Sequence, residues 1–207
     1  MVSRKSELTT ACFPVSPASP ASPAQVPPLS MSQSPLEVPA AVTFEQAIAL
    51  TQSLLSQVET GSLTETDIAT VISALVKTEN GARGFFVTYL TSASSLADSP
   101  SAAVVEALRS SPEIVAELLV KNLAMSTAQA IFHRRQQKED MAKGSEQVSQ
   151  RTTKLIQLIE LPSVRDRAQQ LMQSAKSGEG NYKAFLERWN YDTEQRQAIC
   201  QALEHIK

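Results

Sequence analysis

Apolar side chains recur along this chain with a period close to 3.6 residues, the spacing that places one face of an α-helix against a core. Phe44, Ala47, Ile48, Leu54, Leu55 and Val58 predict a helix over 44–59, with Thr43 and Gln46 spaced as a capping box. Ile68, Val71, Ile72, Leu75 and Val76 predict a second over 65–78, capped by Thr64 and ended by Asn80-Gly81. The stretch Gly81-Ala82-Arg83-Gly84-Phe85-Phe86 lacks the Gly-Lys-Ser/Thr ending of a phosphate loop, and no strand pattern precedes it. It reads as a turn into a short aromatic helix reaching about 92. Ser99-Pro100 and Ser111-Pro112 each read as a helix start with proline at the first position.

From Pro112 the pattern runs unusually far, through Leu118, Leu123, Ala128 and Phe132. It then loses its apolar face over His133–Asp140, whose residues are nonetheless good helix formers. The expectation is one long central helix of about 30 residues, roughly 45 Å. Gly144 is the candidate break, and the periodicity then resumes until Leu161-Pro162. Beyond it lies a small helical unit: a helix carrying Val164 and Leu171 capped by Ser163 and Asp166, a turn at Gly178–Asn181, a short aromatic helix with Tyr182, Phe185 and Trp189, and a last helix capped by Asp192 or Thr193. No run alternates as a half-buried strand does. The fold class is therefore all-α, a helical bundle with one long central helix and a small C-terminal helical unit.

Prolines crowd residues 1–41, where Pro17, Pro20 and Pro23 repeat every third position. Such a segment cannot bury a core, so 1–41 is expected to be a disordered Pro/Ser-rich leader. The helical domain is expected over 42–207, with sub-units at 42–160 and 161–207. Met31 offers a second start.

The 207 residues carry a net charge of −2, which argues against a dedicated nucleic-acid binder. Counting Asp/Glu against Lys/Arg, residues 43–125 are net acidic and 126–207 mildly basic, an asymmetry able to orient two halves or steer a partner. The cysteines, Cys12 and Cys200, form no disulfide framework, and Cys200 sits in an apolar pattern as a small core residue. The expected location is the cytoplasm. No run approaches the apolar length a membrane span needs.

Chemistry is sparse. His133 and His205 have no neighbouring ligand pattern and read as surface histidines, and no glutamate stands three residues before either. No catalytic, cofactor-binding or metal-ligating set emerges, and no cofactor is expected. Two groups stand out as candidate partner contacts: the aromatic cluster Phe85, Phe86 and Tyr89, which is core unless exposed, and the cationic stretch with Arg134, Arg135 and Lys138. The reading is a non-catalytic protein-interaction adaptor or assembly factor, with self-association as one mode. The alternatives are a nucleic-acid-associated protein using 133–143 and an enzyme with an unrecognised site.

Gly84-Phe85-Phe86-Val87-Thr88-Tyr89-Leu90, Leu118–Ser126 and His133-Arg134-Arg135 resemble helical proteins of unknown function found in cyanobacteria and plant plastids. The resemblance covers about a third of the chain. It implies an all-helical fold and a cytosolic or stromal location, and it brings no catalytic residues.

Overall fold

The computed structural model describes residues 36–206, and the leader's repeats, Cys12 and Met31 lie outside them. Among the described residues there are ten helices and no strand. α1 (Phe44–Glu59) and α2 (Glu65–Val76) begin at capping boxes, Thr43 with Gln46 and Thr64 with Asp67, where each side chain satisfies a backbone N–H that the helix itself leaves unpaired. The first segment of described chain is already anchored: Leu36 and Val38 pack against the core, so the folded body starts earlier than Val42.

α3 (Glu79–Thr91) takes in Asn80 and Gly81, which the sequence pattern assigns to a turn. Thr78 caps it instead, accepting from the Gly81 N–H at 3.1 Å. Gly84 is the reason this helix sits where it does. A Cβ there would lie 2.5 Å from Ala47 Cβ and 2.7 Å from the Phe44 carbonyl, so glycine lets α1 and α3 approach backbone to side chain.

α4 (Ser95–Asp98) is a single turn, and α5 (Ala102–Arg109) follows with Ser101 as its cap residue. Pro100 therefore lies between helices rather than opening one. Ser111-Pro112 behaves as its pattern predicts, with proline in the first turn of α6 (Pro112–Arg135).

The long helix stops sooner than expected. Gln136, Gln137 and Lys138 break it, with Gln137 in the left-handed region at φ 59°. α7 (Glu139–Ile159) then folds back along α6. Thr127 meets Ser149 and Arg134 meets Glu146, contacts whose positions converge on the turn as an antiparallel hairpin requires. Gly144 is not a break. It lies inside α7 with open space where a Cβ would be.

α8 (Pro162–Ser177) starts with Leu161 in the cap position, and Ser163 forms no cap hydrogen bond. Gly178 and Gly180 turn the chain with φ of 75° and 106°. α9 (Lys183–Arg188) and α10 (Thr193–Glu204) complete the fold, the latter in a capping box of Asp192 with Gln195.

One continuous core joins all these pieces, from Val42 and Phe85 through Leu119 and Leu155 to Leu171 and Ile199. Cys200 is a buried member of it. α6 runs through the middle and packs on α3, α5, α7, α8 and α10. By length and composition alone an 18-residue window of it could cross a membrane, against the expectation that no run is apolar enough. Half of that window is buried within the fold, as a central bundle helix requires.

Candidate functional site

The uneven charge of the two halves is used to join them. Arg151, on α7, is 3% exposed and donates from Nε to Asp98 Oδ1 at 2.8 Å. Its Nη1 also donates to the carbonyls of Leu90 at 2.8 Å and Ser92 at 2.7 Å, which end α3 without helical partners. Arg109 treats α7 the same way, donating to the Ile159 and Leu158 carbonyls. The Arg151 guanidinium holds the Asp98 carboxyl below its ordinary range by hydrogen bonding, against a small opposing effect of burial.

A second cluster fixes α9. The Glu117 carboxylate accepts from Tyr182 Oη at 2.7 Å and Arg167 Nη1 at 2.5 Å, and pairs with Lys121 Nζ at 2.7 Å. Arg167 also reaches Glu113 at 2.6 Å. Burial pushes the Glu117 carboxyl up, but the bonds from Lys121 and Tyr182 and the charges of Lys121 and Arg167 outweigh it and leave it below its ordinary value. Burial, then the bond to Glu117, pushes the Tyr182 phenol up to about 12.

This anchoring creates a groove. α3 and α6 form two walls, Phe185 and Trp189 at the end of α9 form the third, and Phe44 contributes from α1. Its volume is about 560 Å³. Val87 and Trp189, 46% and 42% exposed, are two of the large apolar side chains the fold leaves open to solvent, and both face this groove. Arg83 and Arg188 stand on it, exposed, and neither has a carboxylate within ion-pair distance among the described residues. Arg83 lies over the Phe44 ring at 5.6 Å, and Lys121 lies over Phe185 at 5.7 Å.

The aromatic cluster singled out by the sequence is core. Phe85, Phe86 and Tyr89 are buried, Phe85 stacks on Tyr89 at 5.0 Å, and the Tyr89 hydroxyl donates to the Leu96 carbonyl at 2.7 Å. They present no surface of their own, although Phe86 backs the groove. In the cationic stretch, Arg134 pairs with Glu146 and Glu139, and Arg135 pairs with Asp192 and Glu194. Both remain about half-exposed, but their charge is balanced within the chain. Lys138 is exposed in the hairpin turn and has no ion pair among the described residues. The structure brings none of these six residues into one site.

Trp189, a member of the short aromatic helix, ends α9 and is 42% exposed, with Asn190 beside it at φ 48°. His133 is half-buried against Phe132, with Nδ1 buried and unpartnered, while His205 is exposed. Among the described residues no three His, Cys, Asp or Glu side chains gather in a way that could hold a metal ion.

A helical bundle with an open apolar groove flanked by Arg83 and Arg188 is the class that fold and site define. Residues 43–206 match the family described as "Uncharacterised conserved protein UCP020893", and the chain belongs to it. The match spans most of the chain rather than the third on which the resemblance to cyanobacterial and plastid proteins was read. No curated relative and no solved structure matches.

Proposed function

We propose that this protein is a non-catalytic interaction adaptor or assembly factor that docks a protein segment in the groove between α3, α6 and α9. The observation that carries this reading is the pairing of Val87 with Trp189. Two large apolar side chains left half-open on one concavity mark a contact surface more often than scattered exposure does. Trp and Arg are also the residue types that dominate binding energy at protein interfaces.

The enzyme alternative has little to rest on, because the charged clusters around Arg151 and Glu117 are spent on anchoring helices. The nucleic-acid alternative has less to support it in 133–143, where carboxylates match Arg134 and Arg135 and leave Lys138 and Lys143 without an ion pair among the described residues. A cytoplasmic or stromal location, and kinship with cyanobacterial and plastid proteins, follow from the sequence resemblance and remain part of the proposal.

The test is a comparison of proteins captured from native lysate by the wild type and by Val87→Asp and Trp189→Asp variants of unchanged thermal stability. Loss of specific partners from both variants supports the reading, and identical partner sets sink it. Sedimentation at two concentrations checks self-association through the same surface.

A further inference from the structure

We infer that the groove's occupant is an acidic amphipathic helix of about three turns from a partner protein. The inference rests on the docking reading above and adds the chemistry of what docks.

Shape argues for a helix. The groove follows α3 from Glu79 through Arg83 and Val87 to Thr91, positions spaced four residues apart along one stripe. Twelve residues of rise correspond to about 18 Å, or three turns of a facing helix. A segment carrying apolar side chains at i, i+3, i+4 and i+7 presents anchors on that scale.

Charge argues for an acidic segment. The whole chain is −2, yet the groove carries the unpaired Arg83 and Arg188, with Lys121 already matched by Glu117, against Glu79 alone. Arg109, Arg134, Arg135, Arg151 and Arg167 all find carboxylates within the chain, whereas Arg83 and Arg188 on the groove, like Arg165 and Arg196 elsewhere, find none among the described residues. These two cations are available to a partner's carboxylates, and a cationic segment would meet like charge there.

The chain's single tryptophan is Trp189, so its emission reports occupancy of the groove directly. The experiment titrates the full chain with a synthetic helical peptide of about 14 residues, long enough for the three turns. It carries leucines on one face and glutamates on its flanks. A twin with lysines in place of the glutamates, and laurate as a small anionic amphiphile, are titrated in parallel.

The expected result is a saturable blue shift with the Glu-flanked peptide, at an affinity at least about tenfold tighter than its Lys-flanked twin. Added salt should narrow that gap, and the double variant Arg83→Glu/Arg188→Glu should reverse it. Both arginines are exposed and make no ion pair within the described chain, so the variant removes no internal ion pair. Equal affinity for the two peptides overturns the acidic assignment while leaving groove docking intact. Saturation by laurate alone overturns the helix in favour of a small amphiphile. If neither peptide binds, the inference falls. The lysate comparison with Val87→Asp and Trp189→Asp then decides separately whether the docking reading falls with it.

Discussion

Arg151 lies between two helix ends, bonded to Asp98 on one side and to the Leu90 carbonyl on the other. Its partner Asp98 is half-exposed, so the ion pair itself is screened and modest. The larger part of its contribution comes from the Leu90 and Ser92 carbonyls, which nothing else satisfies if the guanidinium is lost. Arg151→Ala should destabilise the fold by about 2–4 kcal/mol. Arg151→Lys should recover only part of that, since a single ammonium cannot reproduce the fork. Urea unfolding of the three proteins checks this; a loss in Arg151→Ala no larger than that of a surface substitution would refute it.

Two glycines, both inside helices, should respond in opposite directions. Gly84→Ala forces a methyl against Ala47 and the Phe44 carbonyl, and should cost about 1–3 kcal/mol. Gly144→Ala places its methyl in open space within α7 and should add about 0.5–1 kcal/mol. Thermal melts of both variants at one pH provide the comparison.

Acid should weaken the fold in a definite window. Asp98, Asp192 and Glu117 all have carboxyls held below their ordinary values of 3.8, 3.8 and 4.5. For Asp98 and Asp192 the leading cause is a hydrogen bond from arginine, Arg151 and Arg135 respectively. A carboxyl depressed in the folded state contributes stability that is present above its unfolded value and lost as pH falls through its folded value. Urea midpoints should therefore hold steady above pH 5 and fall below about 4. In Asp98→Asn that decline should be shallower.

The opposite limb is shared by three tyrosines that burial raises, Tyr89, Tyr191 and Tyr182, of which Tyr182 completes its titration first. Its phenol titrates near 10 when unfolded and is pushed up to about 12 in the fold, first by burial and then by its bond to Glu117. A group raised on folding stabilises below the unfolded value and loses that contribution as pH climbs through the folded one. Stability should decline between pH 10 and about 12. Tyr182→Phe should flatten part of this decline, leaving the share of Tyr89 and Tyr191, while lowering stability at neutral pH, because Glu117 loses a donor. An unchanged alkaline limb in the variant would count against the assignment.

What could be read from the sequence was local. Thr43 with Gln46, Thr64 with Asp67, and Asp192 with Gln195 lie three residues apart, so helix starts were legible from neighbours alone. The hairpin turn was not, because Gln136, Gln137 and Lys138 are good helix formers and only the return of α7 onto α6 makes a break there favourable. Gly144 carried the opposite signal, and packing overrode its modest helix penalty. Ser99-Pro100 and Ser111-Pro112 look alike in sequence and end differently, since Ser101 takes the cap position in the first case. The groove was hidden because it joins α3, α6 and α9, and the packing of α3 against α1, α2, α6 and α7 decides which of its sides faces outward. Val87 therefore did not stand out from its neighbours, and Trp189 was legible only as one member of a short aromatic helix.

The hairpin turn is also an exposed break between two long, well-packed helices. A protease cutting within the exposed segment Gln136–Lys138 would sever the backbone without touching the buried interior. The two fragments would still share Asp98 with Arg151, Glu113 and Glu117 with Arg167, and the long apolar seam of α6 against α7 and α10. The nicked chain should accordingly migrate as an intact particle in native gels and come apart only in denaturant, the way a split-protein pair does.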